Sequence, residues 1–198
     1  DSKKYGFDFT TYENRVKILD ESLQVMKSLW TNKETSFNGE YFNLSGASQE
    51  IIPVQKNGPP ITISGKSDSV IELLERHGDV WESGGKKDDD YKSLIQKVDE
   101  VCTKGNKHKI EKSIELFVII DKNAGESSSG LDGFDGWDFF RGSPDVVCEN
   151  IQKMSDVGFD RFTVYFVNKD GDPFKQSESN LIEQMELFKD QVIPNLKS

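Results

Sequence analysis

Four consecutive residues, Ser64-Gly65-Lys66-Ser67, are the best-placed candidates for binding a ligand. They follow a short apolar strand, Ile61-Thr62-Ile63, and precede an amphipathic helix. In α/β proteins ligands bind where parallel strands end, and backbone N–H groups at a helix N-terminus attract phosphate. Two hydroxyls and one ammonium group meet here, so the segment is a candidate phosphate loop. The alternative is an ordinary strand–helix turn in which a serine caps the helix.

A second candidate group follows the next predicted strand, Asp79-Val80-Trp81. Trp81 and Glu82 lie at the carboxyl end of this strand, so we expect both to face the same mouth as the candidate phosphate loop. Trp81 either packs against the edge of a cofactor or fills the layer between the sheet and its helices. Lys86 and Lys87 follow two glycines, and they either form a basic rim of the site or are simply solvated lysines.

The histidines and cysteines form no recognisable catalytic or metal-binding pattern. His77 ends a predicted helix, where the helix dipole favours positive charge, and His108 lies in a lysine-rich turn. Both positions precede strands, on the side away from the mouth, so neither histidine is placed as a general base. No zinc-site spacing is present, and we predict no metal. Cys102 and Cys148 lie within helical patterns, which predicts buried thiols and a reducing cytoplasm.

A long glycine-rich segment, residues 123–142, follows the strongest predicted strand. Its aspartates are spaced three residues apart and do not match an EF-hand loop, so calcium is not expected. Trp137, Phe139 and Phe140 predict either a mobile lid over a site or an insertion that packs its aromatic rings on the domain or on a partner. Arg141 is placed to reach an anionic ligand at the same mouth.

The composition indicates a folded protein and argues against two classes of function. Aromatic residues make up 11% of the 198 residues, too many for a disordered chain. The 35 acidic residues outnumber the 25 basic ones, and the resulting net charge of −10 argues against nucleic-acid binding. No apolar run approaches the roughly 18 residues of a membrane-spanning helix, so no membrane partner is expected. The chain starts at Asp1 without a methionine, and we expect it to be a fragment.

The elements that position these residues alternate between strand and helix. A helix from Thr11 to Trp30 and a β-hairpin around Asn38-Gly39 come first. Four strand–helix units follow, with strands at Ile61–Ile63, Asp79–Trp81, Ser113–Asp121 and Arg161–Val167. Strands separated by single helices pair in parallel through right-handed crossovers. A closed eight-stranded barrel takes about 250 residues, so we expect one α/β domain over 1–198 that is either a small open sheet or half a barrel.

Several short motifs carry more information by their order than any one of them carries alone. They are Tyr5-Gly6-Phe7, Leu19–Trp30, Phe37–Phe42, Pro59–Gly65, Arg76–Trp81, Cys102–Gly105, Gly142–Val146, Gly158–Arg161 and Phe188–Leu196. In order and spacing they resemble the bacterial luciferase-like monooxygenase superfamily, and specifically its C-terminal half. The resemblance covers nearly the whole chain.

This resemblance implies a fold, a cofactor and a site. Members of the family are (β/α)8 barrels that use reduced FMN or the deazaflavin coenzyme F420 for oxygenation or hydride transfer. The chain would supply four C-terminal βα units of such a TIM barrel, preceded by a helix and a hairpin. Ser64, Gly65, Lys66 and Ser67 would hold the cofactor phosphate, and Trp81 would contact the cofactor. The substrate would be a small molecule, and the catalytic residues stay unassigned because the family's first four strands carry many of them.

Half a barrel leaves two open sheet edges, at Ile61–Ile63 and Phe162–Val167, which invite pairing with another strand. The missing half is then the N-terminal part of the same protein or a second copy of this chain, unless the hairpin and the long loop cover the open sheet. Two functions follow. One is a flavin- or deazaflavin-dependent oxidoreductase half that is inactive alone, and the other is a non-catalytic half-barrel module that acts through oligomerisation or assembly.

Overall fold

The computed structural model describes residues 2–6, 9–85, 90–105, 110–122, 139–168 and 177–196. The helices are α1 (Tyr12–Thr31), α2 (Asp68–His77), α3 (Tyr91–Lys104), α4 (Pro144–Val157) and α5 (Glu178–Leu187). The strands are β1 (Thr35–Asn38), β2 (Asn43–Ala47), β3 (Thr62–Ser64), β4 (Val80–Ser83), β5 (Glu111–Ile120), β6 (Phe139–Gly142) and β7 (Arg161–Phe166). Short 3-10 turns lie at Ser2–Tyr5 and Ile193–Asn195, and a π turn at Phe188–Val192 extends α5.

The main sheet is parallel, as expected, but it contains five strands where the sequence predicts four. Its order is β3-β4-β5-β6, with β7 also paired to β5. Phe117 of β5 pairs with both Phe139 and Tyr165, so β6 and β7 lie on opposite edges of β5. Ser113 pairs with β4 on one edge and with β7 on the other. Strand β6 therefore pairs with the same edge of β5 as β4 does, beyond the point where β4 ends. The described residues form a partial barrel.

The additional strand β6 lies at the end of residues 123–142, the segment for which the sequence predicts a loop or lid. Residues 123–138, which include Trp137, lie outside the described residues. Phe139 and Phe140 are only 8% and 7% exposed, and Arg141 pairs with Ile119. For these last residues the loop interpretation is wrong. Strand β5 extends beyond β4, and β6 satisfies the backbone groups that β5 would otherwise leave unpaired on that edge.

The helices cover one face of the sheet, and the main hydrophobic core lies between the sheet and these helices. Successive strand residues point to opposite faces, so Ile63, Trp81, Ile114 and Val164 pack toward the helices. Their partners include Ile71, Leu74, Ile95, Val98, Val147 and Ile151. We call the opposite side the open face. It carries Thr62, Ser64, Val80, Glu82, Glu111, Ser113, Glu115, Phe117, Ile119, Phe139, Arg141, Arg161, Thr163 and Tyr165.

The predicted hairpin is present, and α1 holds its loop in place. Asn38 pairs with Asn43, so residues 39–42 form a loop that is longer than a two-residue Asn-Gly turn. The carboxylate of Glu21 on α1 accepts hydrogen bonds from the backbone N–H groups of Glu40, Tyr41 and Phe42, at 2.7, 2.9 and 3.0 Å. The loop conformation therefore depends on the helix as well as on the turn residues.

Both cysteines are free thiols on helices, as predicted. Cys102 on α3 is buried, whereas Cys148 on α4 is only half-buried. Burial raises the pKa of the Cys148 thiol, and the charges of Asp145 and Glu149 raise it further. Separately, none of the helices in the described ranges is long and apolar enough to span a membrane.

Candidate functional site

The candidate phosphate loop, Ser64–Ser67, lies where β3 ends and α2 begins. Ser64 is exposed and the other three residues are half-buried. Ser67 is the N-cap residue of α2, but its side chain makes no capping hydrogen bond. Its hydroxyl instead contacts the hydroxyl of Tyr12, which also lies 3.3 Å from Oγ of Ser69. The Ser67 side chain therefore leaves the first backbone N–H groups of α2 uncapped, and such groups attract anions.

Gly65 and Trp81 determine the shape of this loop. Gly65 has a φ of +146°, which L residues rarely adopt, and a Cβ there would lie 2.8 Å from Cγ1 of Val70. Trp81 is 0% exposed and stacks on Phe159 with ring centroids 6.1 Å apart. Its indole Nε1 donates a hydrogen bond to the carbonyl oxygen of Gly65 at 2.8 Å. The loop is thus supported from within the core.

The expectation that Trp81 and Glu82 face the same mouth is wrong for Trp81. Adjacent strand residues alternate between faces, so Trp81 points toward the helices while Glu82 points to the open face. Of the two interpretations of Trp81, the structure has it filling the layer between sheet and helices. A role in cofactor binding stays a prediction, and it would act through Gly65.

The charges beside the loop are mixed. The ammonium group of Lys97 on α3 donates to the carbonyl oxygen of Lys66 at 3.4 Å and pairs with the carboxylate of Asp68. Asp68 lies in the first turn of α2, where an acid stabilises the helix but opposes a second anion. Lys97 neutralises much of that charge, and Lys66 contributes a second ammonium group to the loop segment.

A row of polar residues crosses the open face at the level of the loop. Ser64 pairs with Glu82, Glu82 pairs with Ser113, and Ser113 pairs with Arg161. We call these four residues the polar row. They come from β3, β4, β5 and β7 at one register, so their side chains point to one side of the sheet. Ser64 belongs to both the polar row and the loop, and it connects the two.

Two atoms of the polar row are buried without a hydrogen-bond partner. They are Oε1 of Glu82 and Oγ of Ser113, whose residue is only 1% exposed. Burial raises the pKa of the Glu82 carboxyl, and the charge of Glu115 adds to this effect. Ser113 and Arg161 lower the same pKa, but the net shift is upward. Burial therefore makes the charged form of Glu82 less favourable than that of an exposed carboxyl.

Arg161 and Glu115 each have a hydrogen-bonding partner on the open face. Nε and Nη2 of Arg161 donate to the two carboxylate oxygens of Glu111 at 2.8 and 2.6 Å. The hydroxyl of Tyr165 donates to Oε1 of Glu115 at 3.5 Å, and the charge of Glu115 raises the pKa of Tyr165. Since Arg161 is already engaged by a carboxylate, it compensates little of the negative charge near Glu82.

The predicted distance of His77 from the site is confirmed. His77 Nε2 lies 2.6 Å from Oδ1 of Asp20 on the helix-covered side, and Arg76 binds both oxygens of the same carboxylate. Burial lowers the pKa of His77 even though Asp20 raises it, so the ring is neutral near neutral pH. His108, Lys86 and Lys87 lie outside the described residues. Within the described ranges no group of three or more His, Cys, Asp or Glu side chains is placed to hold a metal ion.

Sequence reasoning missed four open-face residues: Ser113, Glu115, Arg161 and Tyr165. The sequence prediction assigns each of them only to a strand. The available signal was the pattern Ser113-Ile-Glu115-Leu in the strongest strand. Parallel strands covered on both faces are almost continuously apolar, so polar residues at alternating positions of such a strand mark one unusual face.

The family of this chain follows from comparison with known proteins. Residues 2–134 match the family described as luciferase-like monooxygenase. The chain belongs to this family. The luciferase-like chain is 32% identical over 121 residues to the F420-dependent glucose-6-phosphate dehydrogenase 2 of Rhodococcus jostii (strain RHA1), covering 59% of this chain and 35% of that protein.

One further relative and one solved structure extend the comparison. The FMNH(2)-dependent dimethylsulfone monooxygenase of Pseudomonas putida is 23% identical over 116 residues, covering 58% of this luciferase-like chain and 31% of that protein. The monooxygenase RslO1 from Streptomyces bottropensis superposes with a TM-score of 0.78 at 13% identity, over 98% of this chain and 64% of that one. This structural likeness shows the fold. The chain spans about a third of the length of the curated relatives it matches.

Proposed function

We propose that this chain is the phosphate-binding half of an F420- or FMN-dependent oxidoreductase that transfers a hydride or oxygen to a small organic substrate. Membership in the luciferase-like family supports the cofactor class, because relatives named for either F420 or FMN each match more than half of the chain. The free thiols of Cys102 and Cys148 support a reducing compartment, and we propose the cytoplasm.

The observation that carries the proposal is the loop Ser64–Ser67. Its helix start lacks a side-chain cap from Ser67, and the Gly65 conformation leaves no side chain over the backbone. A terminal cofactor phosphate at this point would meet backbone N–H groups, the hydroxyls of Ser64 and Ser67, and the Lys66 ammonium group. Tyr12, which contacts the Ser67 hydroxyl, would share that hydroxyl with the phosphate or give it up.

The bound cofactor would supply the two-electron chemistry, and the residues of this chain would orient it. Trp81 holds the Gly65 carbonyl, which keeps the loop backbone in one conformation. The polar row lies next to the loop through Ser64, so substrate groups that approach the cofactor from this side would meet Glu82 and Ser113. Positioning of this kind accounts for a large part of the rate enhancement in many enzymes.

A titration with FMN and riboflavin tests the phosphate contact, because the two differ only by the phosphate group. We expect the chain to bind FMN several-fold more tightly than riboflavin, by quenching of flavin fluorescence. Lys66→Ala and Ser67→Ala should remove this difference, whereas the exposed, distant Lys56→Ala should retain it. Equal binding of the two flavins by the unmodified chain, or equal effects of K66A and K56A, would refute the phosphate site. The same variants titrated with F420 test the deazaflavin alternative.

Activity would need the rest of the barrel. Among the described residues, β3 pairs only with β4 and β7 only with β5, so each has an edge without a partner strand. Such edges recruit further strands. We propose that the N-terminal half of the same protein or a second copy of this chain supplies them, and that the chain alone has no oxidoreductase activity. A turnover assay with reduced cofactor, before and after adding a separately produced N-terminal half, tests this.

A second candidate function, assembly without catalysis, is favoured by an exposed apolar groove on α5. The groove measures about 390 Å³ and includes Ile182, Met185 and Ile193, each roughly half exposed. If a barrel half covers this groove, Met185→Glu should reduce the self-associated fraction in light scattering. Val157→Glu, at an exposed apolar position on α4, is the matched control. A chain that is monomeric with and without the substitution would remove self-assembly as a function.

A further inference from the structure

We propose that Tyr12 is a positioning residue for the candidate phosphate loop. Its hydroxyl keeps the Ser67 side chain from capping α2, and it leaves the hydroxyl hydrogen of Ser67 to point at a bound anion. The inference rests on the proposed function, because the anion would be the cofactor phosphate at Ser64–Ser67. It adds a residue of α1 to that site, and it explains how a serine at this helix start can bind a ligand instead of the helix.

A contact between two hydroxyl groups joins the starts of α1 and α2. Tyr12 is the first residue of α1, and Ser67 is the N-cap residue of α2, 55 positions further along the chain. Their hydroxyls are hydrogen-bonded, and Oγ of Ser69 lies 3.3 Å from each of them. The guanidinium group of Arg15 lies 5.6 Å from the centroid of the Tyr12 ring and donates to the carbonyl oxygen of Thr10 at 2.8 Å. The Tyr12 ring is therefore held in place beside the loop.

Ser67 stands at the position of a helix cap but does not act as one. A serine there normally accepts a hydrogen bond from the backbone N–H of the second or third helical residue, which are Ser69 and Val70 in α2. The Ser67 side chain makes no such bond, and its oxygen is bonded to the Tyr12 hydroxyl instead. The start of α2 therefore lacks its internal side-chain acceptor, and the N–H groups of such a helix start attract an anion.

The same contact determines what the Ser67 hydroxyl can offer to a ligand. A serine hydroxyl carries one hydrogen and can both accept and donate. When Tyr12 donates to the Ser67 oxygen, that oxygen is engaged as an acceptor, and its single hydrogen is left to donate. Without a ligand this hydrogen can point to Oγ of Ser69, 3.3 Å away, whereas a phosphate is a charged and therefore stronger acceptor. Tyr12 thus converts Ser67 from a helix cap into a hydrogen-bond donor for an anion.

Amide hydrogen exchange of the ligand-free chain, followed by NMR, tests the effect on the cap. In Tyr12→Phe the Ser67 oxygen loses its hydroxyl partner and should turn back to accept from the N–H of Ser69 or Val70. We expect exchange at one of these two amides to slow several-fold, and the midpoint of urea unfolding to stay the same or rise. Tyr5→Phe, at a tyrosine that is 77% exposed, is the matched control. A lower midpoint with unchanged amide exchange would show that the contact is only structural and would overturn the proposal.

Titration of the same variants with FMN and riboflavin tests the consequence for phosphate binding. Y12F should reduce the preference for FMN over riboflavin several-fold, because the restored cap competes with the phosphate. The affinity for riboflavin should not change, and Y5F should behave like the unmodified chain. A direct contact between Tyr12 and the phosphate would instead weaken FMN binding without slowing amide exchange in the ligand-free chain. That result, or an FMN preference that survives Y12F intact, would overturn the proposal.

Lys66→Ala separates the role of Tyr12 from the phosphate site itself. K66A should reduce the preference for FMN without slowing exchange at Ser69 or Val70, since it leaves the contact between Tyr12 and Ser67 unchanged. Equal binding of the two flavins by the unmodified chain would refute the phosphate site, and the binding role of Tyr12 with it. An FMN preference that K66A removes and Y12F leaves unchanged would refute the role of Tyr12 alone.

Discussion

The indole nitrogen of Trp81 donates a hydrogen bond to the carbonyl oxygen of Gly65, and the two atoms are 2.8 Å apart. The donor is fully buried under the helices, whereas the acceptor lies in an accessible loop at the strand ends. Side-chain hydrogen bonds to loop carbonyls restrict the loop to one conformation. The conformation of the candidate phosphate loop is therefore coupled to the packing of the core.

Removing this hydrogen bond should weaken the loop more than it weakens the core. Trp81→Phe leaves the Gly65 carbonyl without its donor and opens a small cavity, so we expect a loss of about 2 kcal/mol in the free energy of unfolding. Phe159→Leu removes the stacked ring but retains the indole donor. We expect W81F and F159L to lose similar amounts of stability, measured by urea denaturation. Only W81F should reduce FMN binding. Equal reduction of FMN binding by F159L would show that the hydrogen bond is not the cause.

Gly65 should resist substitution for two separate reasons. Gly65→Ala places a methyl group 2.8 Å from Val70 and forces alanine to a φ of +146°, so we expect a loss of about 1–3 kcal/mol in stability. Gly46→Ala is the control, because Gly46 has a φ of +61° with no atom within 4 Å of the added Cβ. It should cost about 1 kcal/mol. Thermal unfolding of G65A, G46A and the double variant G65A/V70A separates the contact from the backbone strain. If V70A restores none of the stability that G65A loses, the contact with Val70 contributes nothing to that loss.

The Asp20–His77 pair should make the protein less stable in mild acid. Burial lowers the pKa of His77 in the folded state despite the opposing effect of Asp20, so the unfolded state binds a proton first. Stability is complete above the ordinary histidine pKa of about 6.5 and falls as the pH drops through it. Urea unfolding at about pH 8 and about pH 5.5 should show this loss, and His77→Asn should reduce it. A gain in stability on acidification would mean that attraction to Asp20 outweighs burial.

Further acidification should affect Asp20 itself. Burial raises the pKa of this carboxyl, but its hydrogen bonds to Arg76 and His77 lower it, and the net shift is downward. A carboxyl whose pKa is lowered in the folded state stabilises the fold at pH values above its ordinary pKa of about 3.9. This stabilisation is lost as the pH falls through the folded-state pKa. Asp20→Asn should therefore be less stable at neutral pH and less sensitive to acid below about pH 4. Equal acid sensitivity of D20N and the unmodified chain would contradict this.

The carboxylate of Glu21 should control the hairpin loop. Although burial raises the pKa of Glu21, three backbone N–H donors lower it, and the net shift is downward. Glu21→Gln replaces one acceptor oxygen by an amide NH2 group, which can only donate, so the backbone amides of Glu40, Tyr41 and Phe42 should exchange with deuterium several-fold faster. Exposed Glu13→Gln on the same helix is the control. Unchanged exchange at all three amides would show that the loop conformation does not depend on Glu21.

Most elements of this fold could be predicted from local sequence. The helix start at Ser143-Pro144-Asp145 and the end at Gly158 follow from capping chemistry, and α4 runs between them. The four strands that were expected are present because apolar runs bounded by turn residues favour strands wherever they occur. Strand β6 was not predicted, because its four residues pair only where β5 extends past β4, a condition that its own sequence does not contain.

By itself the sequence determined the α/β class and the family and predicted the loop Ser64–Ser67, because each can be inferred from the order of residues and motifs along the chain. Only the tertiary structure decided which side chains share a face. The polar row joins Ser64, Glu82, Ser113 and Arg161, which are far apart in sequence and meet only through the register of four strands. A shift of one residue in that register would turn Glu82 toward the helices and Trp81 toward the open face. The physical reason is that cross-strand pairing is a long-range interaction, set by how the whole sheet packs against its helices.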